Sequence, residues 1–160
     1  MKRNILRISL CFFIFIIFAF FVGFNFLSKK HIKDKTHISY QKHVQETVLP
    51  SLYPFSPDSI YVVCILSYRC ESCWNHIENI KQYNDLHLFD RLVVFGSGEK
   101  DDEMMIKFNL PFEIIPAEEE ALSSLTSVSP TMFYIKNDTI QHVVQGIIPS
   151  VYLFEKQYLQ

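Results

Sequence analysis

The 160-residue chain has only four cysteines, too few for the disulfide framework that staples small secreted domains. They do not make two pairs either. One Cys-x-x-Cys stands alone at Cys70 and Cys73, with Cys64 shortly before it and Cys11 far away. Histidines at zinc-finger spacing are missing, which argues against a zinc site. Gly96 and Gly98 follow an apolar run, but no phosphate-loop lysine stands at the right offset, which argues against a nucleotide cradle. There is no internal repeat. With 49% hydrophobic and 20% charged residues, the chain is neither disordered nor collagen-like. Its formal charge of −2 hides an asymmetry. Residues 1–35 carry seven Lys/Arg and one acid, whereas residues 36–160 carry eight Lys/Arg and sixteen acids. The acidic part would repel phosphate, so no nucleic-acid partner is expected.

The chain is richest in apolar residues near its start. Ile8 to Leu27 is a run of twenty residues without a charge, and eight phenylalanines lie between Phe12 and Phe26. A helix of that length reaches about 30 Å, one hydrocarbon thickness. Lys2, Arg3 and Arg7 precede the run, and Phe, Asn and Leu crowd its end where a small-residue cleavage pattern would stand. These features predict an uncleaved transmembrane signal anchor over residues 8–27, after a tail of residues 1–7. Cys11 lies near the start of the run, whereas a lipoprotein cysteine follows its apolar stretch, so it reads as a small apolar side chain in lipid. Lys and Arg near the two ends almost balance. A short N-terminal tail with a long C-terminal domain places that domain outside the cytoplasm, on the periplasmic or cell-surface side.

Residues 28–54 read as a tether, with His31 and His37 solvated and a short helix near Val44, Val48 and Leu49 that Pro50 ends. From residue 55 onward a domain is expected. Ile60–Leu66 and Arg91–Phe95 are continuous apolar runs that suit strands buried on both faces, the second stopped by Gly96 and Gly98. Helices are expected over Cys70–Tyr83, Asp101–Phe108, Ala117–Leu125 and Ser150–Tyr158. Further strands are expected over Phe112–Ile115, Thr131–Ile135 and Thr139–Val144, the last two joined by an Asn137–Asp138 turn. This alternation indicates an α/β sandwich with a central mixed sheet flanked by helices.

Cys70-Glu-Ser-Cys73 falls where a buried strand meets a helix. Cys70 would lie at the helix N-terminus, where unpaired N–H groups and the dipole favour a thiolate. Cys73 lies one turn along, close enough to form a disulfide with it. Such a pair can attack a substrate disulfide and then resolve the mixed disulfide. Arg69 should lower the Cys70 pKa and Glu71 should raise it. Cys64 reads as a core residue, because a buried thiol is inert. Trp74 reads as a cover beside the motif, and Glu118–Glu120 as a solvated helix start. His76, one turn after Cys73, reads as a helix histidine that could also shuttle protons.

Ser129-Pro130-Thr131 comes just before the strand Met132–Ile135. With the Cys-x-x-Cys upstream, the chain here resembles the thioredoxin superfamily over residues 55–160. With the N-terminal anchor it looks most like its membrane-tethered TlpA/ResA type. The resemblance implies a thioredoxin-like fold with a cis-proline at Pro130 beside the cysteines, and substrate chain bound by the backbone at Ser129 and Pro130. It implies a protein-disulfide reductase acting outside the cytoplasm with no cofactor beyond a redox-active Cys70–Cys73 disulfide. Its partners would be protein thiol/disulfide substrates, a membrane electron donor or acceptor, and the lipid bilayer. Three positions depart from the pattern: Arg69 replaces the usual aromatic, Glu71-Ser72 replaces the usual small-Pro pair, and His76 replaces an acid. A non-enzymatic copper- or protein-binding module is the alternative. Its copper-delivery relatives use a wider cysteine spacing plus a distant histidine, and His142 is the only histidine after His87. A thiol peroxidase fits less well, because no proline–threonine pattern stands before Cys70 or Cys64.

Overall fold

β-Branched and aromatic runs supply the strands of one five-stranded sheet in the computed structural model, which describes residues 37–86 and 89–159. The strands are β1 (Tyr61–Ser67), β2 (Arg91–Ser97), β3 (Ile114–Pro116), β4 (Thr131–Lys136) and β5 (Thr139–Gln145). Their order is β3-β2-β1-β4-β5. β1 pairs parallel with β2, and β2 with β3, while β4 runs antiparallel to both β1 and β5. The sheet is mixed, as the sequence predicts. The expected tail and anchor, Cys11, and residues 28–36 of the expected tether lie outside the described residues. No helix among the described residues is long and apolar enough to cross a membrane.

β1 sits at the centre and is buried on both sides, which its unbroken apolar run anticipates. Val62, Cys64 and Leu66 face one layer, with Trp74, Ile77 and Tyr83. Tyr61, Val63 and Ile65 face the other, with Leu122, Leu125 and Phe133. The first layer is built by α2 (Glu71–Asn75), α3 (Ile77–Asp85) and α4 (Asp102–Phe108), and the second by α5 (Glu119–Leu125). Asp101 caps α4 by accepting the Met104 N–H at 3.0 Å. The β4–β5 hairpin turns through Asn137 and Asp138, both at positive φ (53° and 56°), as the favoured two-residue hairpin turn requires. The chain ends in α6 (Val151–Phe154), which widens into a π-helical turn over Glu155–Leu159 rather than staying α-helical to residue 158.

Several expectations are corrected. The helix expected over Cys70–Tyr83 is two helices that meet at His76, which has φ −101° and ψ 1°. No proline or glycine announces that break. Pro50 does not end the short helix α1 (Leu49–Leu52) but stands in its first turn, where its missing N–H leaves nothing unsatisfied. β2 continues through a buried Gly96 to Ser97, and β3 starts two residues later than expected.

The lead-in is the largest difference. Residues 37–54 were expected to belong to a tether, yet Val44 and Leu49 are fully buried. They join the layer of Phe133 and Val143, each stabilising by about 1.5–3 kcal/mol relative to exposure. The backbone of this stretch lies along β5. Gln41 N–H donates to the Ile140 carbonyl at 2.8 Å, Ile140 N–H to Lys42 at 2.9 Å, and Val44 N–H to Asp138 at 2.9 Å. His37 is not solvated. It is half-buried with its ring edge-on to Phe133 at 5.8 Å, and that burial lowers its pKa.

Candidate active site

The site forms where β1 runs out. Tyr68 N–H still donates to the Ser97 carbonyl at 3.1 Å, so β1 tracks β2 for one more residue. Cys70 N–H then closes a turn on the Ser67 carbonyl at 3.0 Å, and Cys70 becomes the N-cap of α2. Two features hold this turn. The Trp74 indole N–H donates to the Tyr68 carbonyl at 2.9 Å, and its ring stacks on Phe108 with centroids 5.6 Å apart. Gly96 gives Tyr68 its place, because a Cβ there would lie 2.9 Å from the Tyr68 ring and 2.6 Å from Ile114.

The two thiols of the motif have opposite surroundings. Cys70 is half-buried, with its Sγ 3.0 Å from the Ser72 hydroxyl and 3.6 Å from the Ser129 carbonyl. Burial pushes its pKa up, but hydrogen bonds from the Cys73 thiol, the Ser72 hydroxyl and the N–H groups of Cys73 and Ser72 outweigh it, and the net pKa is lowered. These hydrogen bonds, not the charge of Arg69, do the lowering. Arg69 is exposed. Cys73 is 1% exposed. Burial, the hydrogen bond to Cys70 and the charge on Cys70 hold its pKa up at about 12, against a single opposing hydrogen bond from the Ser67 backbone. That amide is open to Cys73 because β4 pairs with β1 only as far as Ile65–Thr131. Cys64 is fully buried and its pKa is raised by burial alone.

The Ser129 carbonyl lies against Cys70, and the peptide from Ser129 to Pro130 is cis. A side-chain hub fixes their loop. The buried Thr126 hydroxyl accepts from Val128 N–H at 3.2 Å and from Gln145 Nε2 at 3.0 Å, and lies 3.0 Å from the Thr131 hydroxyl. Thr131 in turn donates to the Val128 carbonyl at 2.6 Å. Gly146 N–H closes on the Pro130 carbonyl at 2.7 Å. The Ser129 carbonyl, 59 positions from Cys70 in sequence, thus reaches its sulfur, with Pro130 next across the cis bond. His76 meets the motif through its backbone, its N–H donating to the Cys73 carbonyl at 3.1 Å, and burial lowers its ring pKa.

Sequence reasoning missed Ser72 and Thr126. Ser72 could have been found, since a hydroxyl two residues after an N-cap cysteine lies within reach of its sulfur. Thr126 carries little local signal, because beyond its contact with Val128 its partners Thr131 and Gln145 come from β4 and β5.

Arranged this way, one accessible low-pKa sulfur and one covered high-pKa sulfur can exchange with an external disulfide, one after the other.

No family profile matches the chain, and no curated protein sequence does. Solved structures do match. A secreted thiol-disulfide isomerase from Corynebacterium glutamicum superposes with a TM-score of 0.52 at 12% identity, over 63% of this chain and 70% of that one. StoA from Bacillus subtilis gives 0.51 at 15% identity, over 67% of this chain and 86% of that one. A thioredoxin-family thiol:disulfide interchange protein from Chlorobium tepidum gives 0.51 at 16% identity, over 64% and 81%. At such identities the likeness is one of fold. The five-stranded mixed sheet with its flanking helices is a thioredoxin-like α/β fold, shared with structures of thiol-disulfide exchange proteins.

Proposed function

We propose that the protein is a membrane-tethered thiol-disulfide oxidoreductase that reduces protein disulfides outside the cytoplasm, with Cys70 attacking and Cys73 resolving. The observation that carries the roles of the two thiols is their contrast in setting: Cys70 is half-exposed with Ser72 at 3.0 Å and its pKa lowered, whereas Cys73 is 1% exposed and its pKa is raised to about 12. In the first step the Cys70 thiolate bonds to one sulfur of a substrate disulfide, and the other substrate sulfur leaves as a thiolate and takes up a proton. The mixed disulfide carries no charge on Cys70, so two of the causes that hold the Cys73 proton vanish together. Burial and the Ser67 amide remain. Cys73 then loses its proton and attacks Cys70. The second substrate sulfur departs, and two electrons have passed to the substrate. A donor dithiol, supplied through the membrane, would restore the pair.

Ser129 and Pro130 would bind substrate backbone beside Cys70. The 3.6 Å approach of the Ser129 carbonyl to the Cys70 sulfur supports this. Residues 8–27 would anchor the chain after a tail of residues 1–7, and their charge-free run supports that. A relative named as secreted supports a site of action outside the cytoplasm.

The roles are tested by trapping. Cys73→Ala should accumulate mixed disulfides with substrate proteins and Cys70→Ala should not; equal trapping by both would reject the assignment. Direction is tested by the redox midpoint of the pair. A value near that of thioredoxin, about −270 mV, supports a reductase, and one near −120 mV makes the protein an oxidant instead.

A further inference from the structure

On the other face of the sheet from Cys73, a cavity of about 160 Å³ opens that is linked to the site through Ser129. It lies between the ends of β1 and β2, helix α5 and the loop that leads into Pro130. Ser129 belongs to both places. Its carbonyl is 3.6 Å from Cys70 Sγ, and the same residue lines the cavity. Ile65 and Leu122 give it a buried apolar floor. Its polar lining includes the hydroxyls of Ser67, Ser127 and Ser129 and the carboxylate of Glu119. Among the described residues these four side chains make no hydrogen bond and no ion pair. No lysine or arginine lines the cavity.

Each of these four groups can accept a hydrogen bond, and one carries negative charge. The complementary ligand has an apolar stem and ends in a cation with several donors. A lysine side chain fits, since its ammonium has three donors and no acceptor, and its methylene stem packs on apolar surface. The volume equals the share of about five water molecules at ~30 Å³ each, room for such a stem and its head. The geometry points to a subsite for a lysine side chain of the disulfide-bearing protein substrate, placed a few residues from the cysteine that Cys70 attacks. The inference rests on the proposed exchange chemistry. Glu119 is exposed, so the expected preference is modest, about threefold in rate, and it weakens as salt rises.

The test uses the full-length protein carrying Cys73→Ala, so that reaction stops at the mixed disulfide. The probes are peptide disulfides of one sequence with lysine, norleucine or glutamate near the cysteine, and glutathione disulfide as reference. In each reaction Cys70 forms a new S–S bond, the probe disulfide breaks, and the departing sulfur takes a proton. The lysine peptide should react about threefold faster than the norleucine peptide, and the glutamate peptide slowest. Glu119→Gln should shrink the lysine advantage, whereas Asp58→Asn, before the opposite end of β1, should keep it. Equal rates for lysine and norleucine, or a lysine advantage that Glu119→Gln leaves intact, would reject the subsite while the exchange chemistry stands. Failure of every probe, glutathione disulfide included, would reject the chemistry and the subsite with it.

Discussion

Replacing Ser72 with alanine separates two explanations for the acidity of Cys70. The Ser72 hydroxyl lies 3.0 Å from the Cys70 sulfur, and its hydrogen bond favours the thiolate. A hydrogen bond to a charged group contributes about 1.5–3 kcal/mol when shielded from water. Ser72 is exposed and Cys70 half-exposed, so water replaces much of what is lost and about 1 kcal/mol is the reasonable figure. That corresponds to about a fivefold fall in the thiolate:thiol ratio at fixed pH. Where Cys70 is ionised the loss destabilises the reduced form, so at pH values above its pKa the midpoint of the pair should move about 20 mV more negative for a two-electron couple. Alanine is a better helix former than serine, so α2 should stay intact. Iodoacetamide reaction of Cys70 as a function of pH measures the thiolate fraction, and equilibration in thiol buffers measures the midpoint. Ser72→Thr should restore both. Arg69→Ala, which removes the adjacent positive charge but no hydrogen bond to Cys70, should do much less than Ser72→Ala. The reverse ranking would refute the argument and return control of the thiolate to the guanidinium.

Other outcomes follow from the same geometry. Thr126→Val should cost about 1–3 kcal/mol in denaturant unfolding, because the Val128 N–H and the Gln145 amide lose their acceptor; an unchanged midpoint would mean that water replaces the hydroxyl. Gly96→Ala should lower Tm by an amount equivalent to about 1–3 kcal/mol, since the added methyl overlaps Ile114 and the Tyr68 ring. The reduced protein should lose stability with rising alkali. Its Cys73 binds a proton more tightly folded than unfolded, so this contribution is complete below the ordinary value of 9.0 and is lost as pH rises from there through about 12. Urea midpoints at pH 7 and pH 10 should therefore diverge more for the wild type than for Cys73→Ala.

The fold was legible wherever one residue type dominates a run. The apolar stretch from Ile60 to Leu66 marks the central strand, and the Asn137–Asp138 pair marks the hairpin. The site was legible where chemistry is local, as with a cysteine at a strand-to-helix junction. Where contacts come from afar, the sequence is silent. The kink at His76 has no proline or glycine to signal it. Arg69 is adjacent to Cys70 in sequence but leaves the lowering of its pKa to the Ser72 hydroxyl and backbone amides. The packing of residues 37–54 was hidden because their polar and proline-containing composition resembles a linker. Val44 and Leu49 are its only fully buried apolar residues, and its hydrogen bonds to the hairpin come from backbone except for one side-chain contact between His43 and Thr139.

That lead-in has a consequence for how the molecule keeps to itself. β5 is the outermost strand on its side, and a bare outer strand invites other chains to add on, the usual start of aggregation. Gln41, Lys42 and Val44 occupy the positions at its start with three hydrogen bonds, two at Ile140 and one at Asp138 in the turn before it. A fragment trimmed to begin at residue 55 would uncover the strand and empty the Val44 and Leu49 sites at once. Its failure would be clumping during refolding rather than loss of thiol chemistry, and a fragment kept from residue 37 onward should stay dispersed.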